Sequence, residues 1–221
     1  MNCNLDELPD SGQNPLVYIE FSANSSIIGR VYIKLYRDVF PAGVENFVSI
    51  ISGSTERIEK KGCGKYSHVK AIRRSYTDCN IFHHSYKNYI VSGDIYDNNG
   101  QTAGTIYDDK PIPAMFGDYY IPHDTCGLVS LVPFVDEKTG DVFYDSTFLI
   151  TMDKPQSRNC LSELDKDHVV IGYVYRGLDV INKLNELIKP FAGRKYPQIK
   201  ISACGVKKLG MTTRTRPNSK C

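Results

Sequence analysis

The densest cluster of chemistry-bearing residues lies near the middle of the chain. It reads Ile81-Phe82-His83-His84, followed by Tyr89-Ile90-Val91-Ser92-Gly93-Asp94. A neutral imidazole offers one donor and one acceptor, and near pH 7 most unperturbed histidines are neutral. Such a histidine can hydrogen-bond a ligand or order a wall of the fold, while Tyr89 and Ile90 can supply apolar contact. Other chemistries are poorly supported. Cys63 and His68 lack a second pair of metal ligands, so no metal site is expected. Seven cysteines at irregular spacing, with no C-x-x-C, point to reduced thiols rather than a disulfide framework. Cys63, Cys79 and Cys221 lie in polar stretches and read as exposed. Cys126 and Cys204 adjoin apolar strand patterns and read as buried. Lys60-Lys61, Lys65, Lys70 and Arg73-Arg74 form a basic loop, but Glu56 and Glu59 interrupt it. No aromatic RNA-binding pattern accompanies them, so nucleic acid is not an expected partner.

Elements must position these groups. Leu16–Phe21 and Arg30–Tyr36 read as strands joined at Asn24-Ser25-Ser26. Pro41 opens a helix whose Val44, Phe47, Val48 and Ile51 share a face, and Gly53 stops it. Residues 54–80 read as a long polar loop. Further strands are expected at 80–82, 89–95, 127–132, 146–152, 168–175 and 198–204. A second helix is expected over 178–188, with Leu178, Ile181, Leu184 and Ile188 inward and Pro190 as its stop. Many short strands with two irregularly placed helices argue for an antiparallel sheet. Closing about eight strands into a barrel would remove exposed edges. Residues 1–14 read as a flexible N-terminal arm and 210–221 as a basic flexible tail, around a domain over 15–209.

The formal net charge is +2, from 27 basic and 25 acidic residues, which gives no bulk argument for a polyanionic partner. The polar N-terminus lacks the features of a secretory signal, and no run has membrane-spanning length. A soluble, intracellular, non-secreted protein is the expectation.

Several segments taken together resemble the cyclophilin family. Gly29-Arg30-Val31, Leu35–Pro41 and Glu45-Asn46-Phe47 are similar to its G-R-x-x-x-x-L-x-x-D-x-x-P-x-x-x-E-N-F run. Phe82-His83 and Gly93-Asp94 resemble its F-H-R and Q-G-G-D. Gly127–Leu131, Ser146–Thr151, Leu164-Asp165 with His168–Gly172, and Ile201–Gly205 follow in the family's order. The abundance of Tyr, Asn and Lys resembles cyclophilins of giant DNA viruses.

The resemblance implies a mainly β protein: a closed, eight-stranded antiparallel barrel capped by two α-helices. It also implies peptidyl-prolyl isomerase ancestry, proline-containing peptides or proteins as partners, and no cofactor or metal. His84 falls at the position of the catalytic arginine. Arginine is always charged and has a planar fork of donors, so catalysis is expected to be impaired. His84 also reads as an exposed loop residue. His83 matches the family's own histidine. Tyr89 and Ile90 fall at apolar pocket positions, and Ser92 falls nearest the lost glutamine. Val132, with Pro133, stands where the family has alanine and asparagine. Thr147 replaces a polar contact, Leu149 the phenylalanine of the pocket floor, and Glu163 a common tryptophan. Leu164 and His168 match and would complete the rim. Residues 54–80 and 134–144 read as insertions, the second as a hairpin with flanking aromatics. Both, with the termini, are candidate surfaces for self-association or a protein partner. A non-catalytic binding or structural module on the same barrel is the alternative function.

Overall fold

The computed structural model describes residues 14–61, 68–83, 88–99, 103–114, 120–152, 161–188 and 196–207. The expected arm before residue 14, the tail after 207, His84, Cys63 and Cys221 lie outside the described residues. Asn14 itself is buried, and its side chain accepts a hydrogen bond from the Arg37 backbone N–H.

β1 (Leu16–Ala23) and β2 (Ser26–Leu35) form the expected hairpin. Val17, Ile19 and Phe21 alternate inward against Val31, Ile33 and Leu35. The Asn24-Ser25 turn has both φ angles positive, which matches the right-handed twist of the strands it joins. α1 (Pro41–Ser52) begins on its proline. It ends where Gly53, in the left-handed region, donates to the Ile50 carbonyl and Ser54 to that of Ser49. Its Val44, Phe47, Ile50 and Ile51 are buried.

β3 (Glu56–Lys61) and β4 (His68–Arg73) then pair antiparallel. The segment expected as a long loop is therefore largely a hairpin, because its two strands satisfy each other's backbone. Buried Arg74 anchors the root, donating to the Glu56 carbonyl and to Asp109.

β5 (Phe82–His83), β6 (Tyr89–Ser92), β7 (Ile112–Pro113), β8 (Leu128–Val135), β9 (Val142–Thr151), β10 (Val169–Arg176) and β11 (Ile199–Val206) complete the strands. They join β1 and β2 in one curled antiparallel sheet, ordered β11-β1-β2-β10-β8-β9-β6-β5, with β7 on β9. α2 (Leu178–Ile188) buries Val180, Ile181, Leu184 and Ile188. Leu178 is exposed rather than inward.

Two expectations are corrected. The sheet is an open half-barrel, not a closed eight-stranded barrel. Its end strands, β11 and β5, form no ladder among the described residues. The chain before β5 bends, with Asp78 in the left-handed region, and meets β11 over a short stretch only: the Asn80–Lys200 bridge, with the N–H groups of Asp78 and Ile81 donating to the Ile201 and Ile199 carbonyls and that of Ile201 to the Cys79 carbonyl. The thiols are also placed otherwise than expected. Cys79 is buried, whereas Cys126 and Cys204 are only half-buried. Cys79 lies where the chain crosses under β11, its Sγ donating to the Asp94 carbonyl.

The interior is organised around Phe47, Tyr76 and Phe148, with ring centroids 5.1–5.2 Å apart. The Tyr76 hydroxyl donates to the Ser146 carbonyl, so its polar end is satisfied. Among the described residues, no helix is long and apolar enough to cross a membrane.

Candidate functional site

Strand alternation decides which residues reach the outer face of the sheet. Along β6, Ile90 and Ser92 point inward: both are about 2% exposed, and Ile90 belongs to the main core. The Ser92 hydroxyl donates to the Asn80 carbonyl at 2.9 Å. Tyr89 and Val91 take the other face. There they pack against buried Leu149, Leu161 and Leu164, together with Val132. Val91 is paired with Leu149 of β9, and Leu149 with Ser130 of β8, so these three residues share one face across three strands.

The structure thus brings together Tyr89, Val132, Leu149 and Leu164. Ile90 and Ser92 point to the opposite face, into the interior. Counting back from Gly93-Asp94 without a gap places Val91, not Ser92, at the lost glutamine. Gly93 fixes that frame. Its φ is +114°, and a Cβ there would sit 2.2 Å from the Ser146 carbonyl oxygen.

The remaining candidates surround this floor. Thr147 is half-buried two residues before Leu149, and its N–H donates to the Asp145 carboxylate at 2.7 Å. Burial pushes the Asp145 carboxyl above its ordinary range, and the bond from Thr147 offsets part of that. Glu163 is exposed and Leu164 buried. His168 is half-buried, and its N–H donates to the Leu164 carbonyl. His83 pairs with Ile90 through the backbone ladder. Pro133, beyond a bulge, opposes Tyr144, and Phe134 stacks on Phe143 farther along the hairpin. Leu161, Val91 and His123 belong to the site without having been singled out from the sequence. Alternation along β6 leaves the face of Val91 open until its pairing with Leu149 is known, and no local pattern marks the other two.

The rim, a short 3-10 turn over Leu164–Lys166, is fixed by side chains from elsewhere. Asp165 accepts the His123 backbone N–H at 2.8 Å and lies 2.7 Å from His123 Nδ1. His123 Nε2 lies 2.7 Å from Ser130 Oγ. Burial lowers the His123 pKa, and the neighbouring Asp165 opposes that only in part. The ring is therefore neutral at pH 7. Nδ1–H donates to the carboxylate, and Nε2 accepts from the serine hydroxyl. Tyr120 also hydrogen-bonds Asp165, and its pKa is pushed up to about 12, chiefly by desolvation. The Tyr144 hydroxyl donates to the Asp167 carbonyl, binding the other end of the turn to β9.

Leu149, Leu161 and Leu164 are at most 5% exposed, so they form a small apolar cluster on this face, edged by half-buried Tyr89, Val91 and Val132. None of the side chains named around it is an arginine, lysine or glutamine. Among the described residues, no three His, Cys, Asp or Glu side chains gather as metal ligands.

Comparison with known proteins accounts for this arrangement. The structural PPIase-like protein of Acanthamoeba polyphaga mimivirus is 55% identical over 205 residues, covering 93% of this chain and 87% of that one. The crystal structure of the mimivirus cyclophilin superposes with a TM-score of 0.76 at 50% identity, covering 98% of this chain and all of the other. The NK-tumor recognition proteins of Mus musculus and Homo sapiens are 28% identical over 195 residues, 87% of this chain but 12% of theirs. The model for "Cyclophilin type peptidyl-prolyl cis-trans isomerase/CLD" matches residues 18–206. With the curled sheet, its two helices and this apolar cluster in place, that match shows that the chain belongs to the cyclophilin-type peptidyl-prolyl cis-trans isomerase family.

Proposed function

We propose that the groove over Leu149 binds proline-containing segments of proteins and that its isomerase turnover is weak. Rotation about a prolyl amide must break its resonance, at a cost of about 18–20 kcal/mol. A protein lowers that barrier without covalent chemistry by binding the ring and offering donors that favour the twisted amide. The observation that carries the reading is the lining itself. Tyr89, Val91, Val132, Leu149, Leu161 and Leu164 retain an apolar ring site. Valine stands where an amide would hold the substrate backbone, and the sequence has His84 in place of the family's arginine. Losing one preorganised donor typically slows a reaction about a hundred- to a thousandfold.

The test is NMR exchange spectroscopy on an Ala-Pro peptide with near-stoichiometric protein, beside an ordinary cyclophilin. Peptide shift changes with exchange slower than in the control support the proposal. Exchange equal to the control refutes weak turnover, and no shift changes refute the groove.

A second reading is a non-catalytic structural or protein-binding module. The β8–β9 hairpin favours it: Phe134 and Val135 at its tip are 39% and 53% exposed. A 55% identical relative bears the name structural PPIase-like protein. The hairpin over 134–144, the insertion 54–80 and the termini are then the contact surfaces, with a second copy or a protein partner as occupant. Loss of self-association on Phe134→Ser, followed by sedimentation, would support this reading. Unchanged association would remove the hairpin from it.

A further inference from the structure

The Asp165–His123–Ser130 chain is a titratable cluster beside the groove that the groove reading leaves unused. Its order is that of a nucleophilic triad, but nucleophilic chemistry does not fit. Ser130 is fully buried, so no acyl group can reach its Oγ. The geometry points instead to a mechanical role. Asp165 lies 42 residues from His123 in sequence and sits on the turn that carries Leu164. Ser130 is paired with Leu149, the groove floor.

We propose that His123 is a positioning residue for the groove, its imidazole holding the Leu161–Lys166 rim against β8 and so setting the width of the apolar pocket. This rests on the groove being a binding site. The contacts favour a fixed spacer over a loose loop. One carboxylate oxygen takes both the backbone N–H and Nδ1–H of His123, and the ring's far side is met by Ser130. The edge of the His168 ring closes the remaining side, with centroids 6.3 Å apart. Tyr120 and Asp124 are the other polar groups acting on this cluster. A charge-assisted bond at 2.7 Å, with the imidazole fully buried and the carboxylate partly so, resists the rotations that would let the rim swing out.

The experiment compares Asp165→Ala, Asp165→Asn and His123→Phe with the unaltered chain. It uses leucine-methyl NMR without ligand, the His123 Nδ1–H resonance, and titration with an Ala-Pro peptide. Asp165→Asn keeps an oxygen acceptor, so it should largely preserve the Leu161 and Leu164 methyl shifts and the affinity. Asp165→Ala and His123→Phe should move those two methyls and leave the remote methyls of Leu184, on α2, in place. They should also weaken peptide binding about tenfold, the loss expected for one such hydrogen bond. Unmoved Leu161 and Leu164 methyls in both variants would overturn the proposal, as would an alanine variant indistinguishable from the asparagine one. If the unaltered chain binds no peptide, the groove reading fails, and the methyl shifts alone decide the positioning role.

Discussion

Exchanging Val91 or Ser92 for glutamine tests which face of β6 forms the groove. Val91 is half-buried on the outer face, so a glutamine there can leave its amide in the groove. The cost is the lost apolar contact with Leu149, about 1 kcal/mol. Ser92 is about 2% exposed, pairs with Phe148 in the aromatic centre and bonds the Asn80 carbonyl. Glutamine there loses that bond, about 1 kcal/mol. It also overpacks a filled interior, about 1–3 kcal/mol, and buries an unmet amide, about 1–3 kcal/mol. The total is about 4 kcal/mol. At about 2–4 °C per kcal/mol for a domain of this size, Ser92→Gln should lower Tm by about 10 °C and Val91→Gln by only a few degrees. Differential scanning calorimetry reads both. An Ala-Pro peptide should bind Val91→Gln about fivefold more tightly, the gain from one added hydrogen bond. If Ser92→Gln melts with the unaltered chain while Val91→Gln unfolds, the assignment of faces is wrong.

Other outcomes follow from individual contacts. Folding lowers the His123 pKa below its ordinary 6.5, so the unfolded chain takes up this proton first. Its contribution to stability is complete above about pH 6.5 and is lost as pH falls through the folded value. Urea midpoints across pH 5–8 should therefore fall less steeply toward acid in His123→Phe, and an unchanged slope would contradict the neutral ring. Gly93→Ala places a Cβ against a backbone oxygen that cannot move aside, and should cost about 3 kcal/mol by denaturant titration; a neutral result would show that this corner relaxes. Phe148→Ala should cost about 4 kcal/mol, since it empties a site touching both Phe47 and Tyr76; a loss under 1 kcal/mol would mean that this centre is loosely packed. Burial pushes the Cys79 thiol up to about 12, so native protein at pH 8 should leave it unalkylated by iodoacetamide until unfolding; mass spectrometry would show the contrary as rapid labelling.

Much of this protein is legible without coordinates because the deciding forces are local. The alternation of Val31, Ile33 and Leu35, the proline that opens α1 and the glycine that closes it each act within a few residues. The ordered motifs from Gly29 to Gly205 carry the family in the same way. Local pattern also misled where two solutions were locally equivalent. The polar run over 54–80 lacks a hydrophobic period, yet Glu56–Lys61 and His68–Arg73 pair as a hairpin through their backbones. In β6, Tyr-Ile-Val-Ser alternates equally well in either sense, and a one-residue error in counting exchanges core for groove. Only pairing of Val91 with Leu149 and Ser92 with Phe148 fixes the choice.

The sequence by itself determined both helices, the main strands of the sheet, their order and the family, because helix caps, strand alternation and motif spacing are short-range properties. Tertiary structure alone decided three things. The sheet stays open because the chain before Phe82 bends where a strand would have to close the ladder. Leu161 joins Leu149 and Leu164 because the 3-10 turn folds back over the sheet. His123 meets Asp165 and Ser130 because a buried imidazole requires partners on both nitrogens, and the fold brings them from two different elements.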